Sequence, residues 1–298
     1  MSVLKILASL LAGASLAHAE CDGTALQVLG SGGPELADKR ASASYLIWEN
    51  GRARALVDFG GGASLRFEEA GAKVEELDVV LFTHFHVDHS GDFPALIKAA
   101  FFSGRERDLP VFGPEGNEIM PGTAEFMRAL FAPKDSAFRY LADYLDPKAK
   151  SPYKIRPHDV RRGEQEIFSE SGFRVLSAPV VHGPLPARAY RVEIGGKSFA
   201  FSGDTNGDGD SLQRMAKDAD IFVAHNAVPE GATGVERKLH MPPSVIGTIA
   251  AEAKAKSLVL SHRMLRTLGK EQESEKAIRR HYRGPVSFAD DLQCFSSR

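Results

Sequence analysis

The sequence has no basic excess, almost no cysteine and, past its first residues, no long apolar run. Its 37 Lys and Arg stand against 39 Asp and Glu, for a formal net charge of -2. Nothing in that balance gives the chain a general attraction for nucleic acid or for an anionic membrane, since both are bound through a basic excess or a basic face. An anionic substrate therefore has to be held by local groups. No later stretch is long and apolar enough to span about 30 Å of hydrocarbon, which excludes stable membrane insertion through such a segment. No internal repeat, low-complexity tract or linker interrupts the chain. With 298 residues and 43% hydrophobic composition, it reads as one domain of helices packed on sheets around a substantial core.

The first residues have the composition of an export address. Lys5 supplies a positive start, Ile6 to Leu16 is a short apolar run, and Ala17-His18-Ala19 fits the small-x-small cleavage pattern. Residues 1–19 are read as a signal peptide cut after Ala19, leaving a secreted or periplasmic domain of residues 20–298. Glu20, rather than a small residue, precedes Cys21, which argues against a lipid anchor. In an oxidising compartment disulfides persist, so the chain's two cysteines, Cys21 and Cys294, are expected to pair and to staple the ends of the mature domain together.

The coarse pattern begins with β-structure. Ala25 to Leu29, Ser44 to Trp48 and Ala53 to Asp58 read as strands, the last two joined by the hairpin signal Asn50-Gly51. A helix is expected over Ser64 to Ala70, stopped by Gly71. A strand follows over Asp78 to Phe82 and a helix from Asp92. The stretch near 109–152 opens with a short strand and continues as aromatic-rich helical segments, read as an insertion. Strands resume at Phe173 to Val181, Ala189 to Ile194, Ser198 to Ser202, Ile221 to Ala224 and Leu258 to Ser261, with a helix over Ser244 to Ala255.

Chemistry concentrates in Thr83-His84-Phe85-His86-Val87-Asp88-His89-Ser90-Gly91-Asp92, which places three of the chain's ten histidines and two carboxylates in one loop after an apolar strand. Imidazoles two residues apart can chelate one cation, while the adjacent Asp88 and His89 point elsewhere and can serve a second. This is a ligand set suited to zinc, with manganese or iron as alternatives. Further polar groups sit at the ends of later strands: His182, then Gly203 and Asp204, then His262.

The segment Thr83 to Asp92, together with His182, Ser202-Gly203-Asp204-Thr205 and Ser261-His262, resembles the metallo-β-lactamase superfamily in motif order and context. So do the early stretches Leu29 to Pro34 and Val57-Asp58-Phe59-Gly60. The resemblance covers nearly all of the mature chain and implies an α/β fold, a four-layer αββα sandwich with two divalent metal ions at one edge. In it, His84, His86 and His182 would hold one cation, Asp88, His89 and His262 the other, and Asp204 would bridge them. Two cations about 3.5 to 4 Å apart share a hydroxide and stabilise charge on the attacked centre. Asp88 would orient that nucleophile.

Leu239-His240-Met241-Pro242-Pro243-Ser244 is similar to the ribonuclease Z, cyclic-nucleotide phosphodiesterase and arylsulfatase branch. There a His at the matching place approaches the phosphate or sulfate, so His240 would donate a proton or bind the anion. His225 falls where that branch has His followed by Glu, but Asn226 stands in place of the acid, which leaves His225 as a structural or supporting residue. The expected activity is hydrolysis of a phosphodiester or aryl sulfate ester, the alternatives being acyl hydrolysis of a lactone, β-lactam or thioester, or a binding protein without catalysis. Net charge, export and the lack of a long basic arm point to a small anionic ester and away from a nucleic acid polymer. Arg188 and Arg191 are candidates to meet its charge, against the commoner role of surface cations.

Overall fold

The structure is a computed structural model that describes residues 21–296; the export segment read over 1–19 lies outside the described residues. The chain begins with β1 (Thr24–Gly30), β2 (Ser44–Glu49) and β3 (Arg52–Phe59), followed by α1 (Ala63–Glu69) and β4 (Val79–Leu81). Next come α2 (Val87–Ser90), α3 (Phe93–Ala100), β5 (Leu109–Pro114), α4 (Thr123–Phe131) and β6 (Ile155–Val160). The second half runs β7 (Gln165–Glu170), β8 (Phe173–His182), β9 (Leu185–Ile194), β10 (Lys197–Phe201), α5 (Ser211–Met215) and β11 (Ile221–His225). It closes with α6 (Gly234–Leu239), α7 (Pro243–Glu252), β12 (Leu258–Ser261), α8 (Glu271–Ile278), β13 (Val286–Phe288) and β14 (Cys294–Ser296).

The β2–β3 turn follows from its residues. Asn50 and Gly51 take positive φ of 52° and 75°, the conformation that a two-residue hairpin with the native twist requires. Two seven-stranded sheets result among the described residues, ordered β14-β1-β2-β3-β4-β5-β6 and β13-β12-β11-β10-β9-β8-β7. Side chains alternate between the faces of each strand. Tyr45, Ile47, Ala55 and Val57 of the first sheet pack with Tyr190, Val192, Phe199, Phe201 and Val223 of the second. The opposite face of the first sheet, with Leu46 and Leu56, meets Phe67, Phe93, Leu96, Ile97, Met127 and Phe131 from α1, α3 and α4. That of the second, with Ala200, Phe222 and Leu260, meets Met215, Ile246, Ile249 and Ile278 from α5, α7 and α8. The order is helix, sheet, sheet, helix.

Cys21 and Cys294 form a disulfide, their Cα atoms 5.6 Å apart. The bond ties β14 to the entrance of β1, against which β14 also pairs from Ala25–Ser296 to Gln27–Cys294. Just before β14, Asp291 accepts hydrogen bonds from the Ser31 amide (3.0 Å) and hydroxyl (2.7 Å) and from the Ala41 amide (2.8 Å). The far end of the chain thereby fixes the loop between β1 and β2.

Candidate metal centre

The strands β3 and β4 of one sheet are parallel, as are β10, β11 and β12 of the other, and β8 runs with them because both it and β10 are antiparallel to β9. Their carboxyl ends open on one edge, where loops from different strands converge, as ligand sites in such sheets do. The loop after β4 carries His84 and His86 and leads into α2, which carries Asp88 and His89. His182 ends β8, Asp204 follows β10, His225 ends β11, and His262 follows β12. His240 caps the C-terminus of α6. Two glycines permit the approach. A Cβ on Gly60 would lie 2.1 Å from the Asp88 carbonyl, and one on Gly203, at φ 56°, 2.9 Å from the Thr83 Cβ.

The seven residues expected as ligands are brought together. Oδ2 of Asp204 lies 3.9 Å from His84 Nε2, 3.8 Å from His89 Nε2 and 3.7 Å from His182 Nε2, while Oδ1 lies 3.5 Å from His262 Nε2. Asp88 Oδ2 is 3.1 Å from His262 Nε2 and 3.6 Å from His89 Nε2. His86 joins His84, His182 and Asp204 in one group whose donor atoms all lie within 4.8 Å of one another. Nε2 of His84, His89 and His182 are buried and have no hydrogen-bond partner among the described residues. Buried polar atoms are ordinarily paired. Converging orphaned imidazole nitrogens and carboxylates suit divalent cations.

A second such group contains His89, Asp204, His262 and His225, but proximity overstates His225. Its Nδ1 is bonded to Asp204 Oδ1 at 2.7 Å and its Nε2 to the Tyr45 hydroxyl at 2.9 Å, so both ring nitrogens are committed. Asp88, which faces His89 and His262, is the better fourth donor. Neither side-chain polar atom of the buried Asn226 finds a partner among the described residues, so no relay runs through it.

The electrostatics fit cation binding. Burial would raise the Asp88 carboxyl, but His89 and His262 beside it hold it below the usual range. Asp204 is likewise held well below its ordinary value against burial, chiefly by His262 and His225. Burial alone would lower His89, but Asp88 and Asp58 push it up to about 10. Burial keeps His84 neutral, well below the ordinary imidazole value, and pushes His240 down to about 3. The carboxylates are thus held ionised against imidazoles that a cation would replace as their partner, His89 giving up its proton in exchange, while His240 faces them as a neutral ring.

Asp58 is the residue that sequence reasoning left without a role. It is the residue before the last of β3 and has φ 56°, an unusual left-handed conformation that Asp tolerates better than most residues. Its Oδ1 accepts from the Thr83 amide at 2.7 Å, and its Oδ2 accepts from the Thr83 hydroxyl at 2.7 Å and meets His89 Nδ1 at 2.8 Å. The carboxylate fixes both the start of the ligand loop and the ring that presents Nε2. Asp58→Ala is expected to weaken cation binding by about 10–100-fold, the scale for a group that orients a ligand, as read by chelator competition. Unchanged affinity would confine Asp58 to folding.

The cluster opens into a cavity of about 140 Å³, whose other walls are Pro34, Leu239 and Met264. The two arginines are elsewhere. Arg188 is buried on Ser177 Oγ and the carbonyls of Arg161 and Gly163, and Arg191 bonds Glu193 and the carbonyls of Met215 and Lys217. Neither lines the cavity, so no substrate charge is assigned to them.

A profile of the metallo-beta-lactamase superfamily matches residues 37–241. Ribonuclease Z of Mycolicibacterium paratuberculosis is 29% identical over 279 residues, which cover 89% of this chain and 95% of that protein. Among solved structures, the short form of human tRNase Z superposes with a TM-score of 0.72 at 18% identity, over 92% of this chain and 99% of that one. A metallo-beta-lactamase fold protein from Bacillus subtilis superposes with a TM-score of 0.71 at 21% identity, over 92% and 99%. The αββα metallo-β-lactamase sandwich expected from the sequence is the fold observed. The expectation of a small anionic ester to the exclusion of a nucleic acid polymer is overturned, because the relative that matches over almost its whole length is a ribonuclease by name. That expectation weighed a chain-wide net charge and a missing basic arm. Neither quantity describes the sheet edge where the donor cluster sits.

Proposed function

Since the chain belongs to the metallo-beta-lactamase superfamily and is a hydrolase of that superfamily, we propose that it cleaves phosphodiester bonds, those of RNA included. The observation that carries this reading is His240. Its Nδ1, buried and without a hydrogen-bond partner among the described residues, lies 3.8 Å from Asp204 Oδ2, and its ring centre is 5.3 Å from that of His182. His182 Nδ1 bonds the carbonyl of Leu239 at 3.0 Å, so the residue before His240 is locked to the cluster. Acyl hydrolysis has no evident need for an imidazole there, whereas an anionic tetrahedral ester has oxygens to occupy it.

In this reading His84, His86 and His182 would hold one cation and Asp88, His89 and His262 the other, Asp204 would serve both, and zinc is the first choice for each. Divalent cations held there supply Lewis acidity and activate water at neutral pH. Asp88 would also orient the attacking water. His240, neutral in its buried position, offers a ring N–H to a phosphate oxygen, and Pro34, Leu239 and Met264 keep bulk water from the reacting centre. The disulfide and the composition of residues 1–19 support an exported enzyme; amino-terminal sequencing of the secreted or periplasmic fraction should start at Glu20.

The test is relative kcat/KM on bis-p-nitrophenyl phosphate, an RNA oligonucleotide with a 3′ extension, p-nitrophenyl sulfate, a homoserine lactone and nitrocefin. The phosphodiesters should lead, and a clear preference for the lactone or nitrocefin would refute the reading. His240→Ala should keep both cations yet lower kcat/KM by about 10²–10³-fold, the scale for removing one aligned donor, with the largest loss on poor leaving groups. Unchanged rates would assign His240 to structure.

A further inference from the structure

His225 links two residues that the sequence gives no reason to connect. Tyr45 lies on β2 in the first sheet, fully buried and packed on Phe201 with ring centres 5.5 Å apart. Its hydroxyl is 2.9 Å from His225 Nε2, and His225 Nδ1 is 2.7 Å from Asp204 Oδ1. A carboxylate only accepts hydrogen bonds, so Nδ1 must carry the proton. In a neutral ring Nε2 is then an acceptor, and the Tyr45 hydroxyl must donate to it. The ring has little freedom to do otherwise, lying nearly parallel to His262 at 4.8 Å and 23°. With Oδ1 occupied, Asp204 turns Oδ2 toward His84, His89 and His182 at 3.7 to 3.9 Å.

We infer that Tyr45 is a positioning residue for the metal centre, anchoring Nε2 of His225 so that Nδ1–H stays aimed at Oδ1 and the carboxylate of Asp204 faces both groups of ligands. Removing the hydroxyl leaves Nε2 buried without a donor, so the ring loses the contact that holds it from behind. The bond from Nδ1–H to Oδ1 is then free to change direction, and Asp204 no longer has one preferred rotation. The inference rests on Asp204 as the bridging ligand of the proposed hydrolase.

The test joins ¹⁵N-histidine NMR to chelator competition on the full chain. Wild type should show His225 as the Nδ1–H tautomer. Tyr45→Phe, nearly isosteric, should keep the folded spectrum and the proton on Nδ1, shift the His225 Nε2 resonance toward that of an acceptor nitrogen without a donor, and weaken cation binding by about 10–100-fold. His225→Asn places an amide donor near the position of Nδ1 and needs no partner behind it, so adding Tyr45→Phe in that background should cost little further affinity. A wild-type Nε2 resonance and affinity in Tyr45→Phe, or an equal loss in both backgrounds, would overturn the inference while leaving the proposed function standing. A wild-type chain that binds fewer than two cations would overturn both.

Discussion

Asp204→Ala is expected to leave a folded chain that no longer holds two cations and turns over phosphodiesters more than ~10³-fold more slowly, the scale seen when one member of a group acting as a unit is removed. The size follows from position. Among the described residues, Asp204 is the one carboxylate within 4 Å of all four Nε2 atoms of His84, His89, His182 and His262. Without it the two ligand groups lose their shared member and the charge that holds them close. The truncation also strands His225 Nδ1, at a cost of about 1–3 kcal/mol for an unpaired buried donor, so Asp204→Asn is the companion variant. It keeps the shape but lacks the charge, and should lose cations with a smaller fall in Tm. Full metal content in both variants would refute the bridging role.

The disulfide gives the largest expected effect on stability. It closes a loop with a sequence separation of 273, and a cross-link over so long a loop restricts the unfolded chain near the upper limit of such effects, about 5 kcal/mol in the chain-entropy account. Native disulfides commonly deliver about 2–5 kcal/mol, which for a chain of this size is a fall in Tm on the order of 10 °C. The comparison is calorimetry of the oxidised chain against Cys21→Ser/Cys294→Ser. Local structure adds to the argument. Leu292 N bonds Val28 O and Val28 N bonds Gln293 O, and Asp291 holds Ser31 and Ala41. A Cβ on Gly33 in that same loop would come 2.9 Å from His262 Cε1. Loosening the carboxyl end therefore reaches a proposed ligand. Equal melting temperatures would show that these hydrogen bonds suffice without the bond.

The metal cluster was legible because its chemistry leaves few disguises. Three histidines and two carboxylates after an apolar strand have hardly any packing explanation, and His182, Asp204 and His262 each follow an apolar strand in order. Asp58 and Tyr45 were not legible. A carboxylate ending an apolar strand and a tyrosine inside one are ordinary, and only the stacking of the two sheets sets Tyr45 against a histidine 180 positions away. Among the strands, β6 was missed because Ile-Arg-Pro-His-Asp-Val has apolar residues only at its ends. It is an edge strand, where a proline is tolerated. β13 and β14 have three residues each, too few for an alternation to register. The exclusion of a nucleic acid polymer failed for another reason. Net charge averages over a surface, whereas recognition of a phosphodiester is decided by the few groups at the edge of the sheets.

The central claim is that this edge binds two cations and that phosphodiester cleavage depends on them. Metal analysis of the purified chain before chelation, after it and after stepwise reloading, with bis-p-nitrophenyl phosphate turnover followed in parallel, tests it most directly. The account predicts two equivalents per chain, near-complete loss of turnover on chelation, and recovery as the second equivalent is restored. Turnover that survives complete removal of metal, or that is fully restored by a single equivalent, would contradict it.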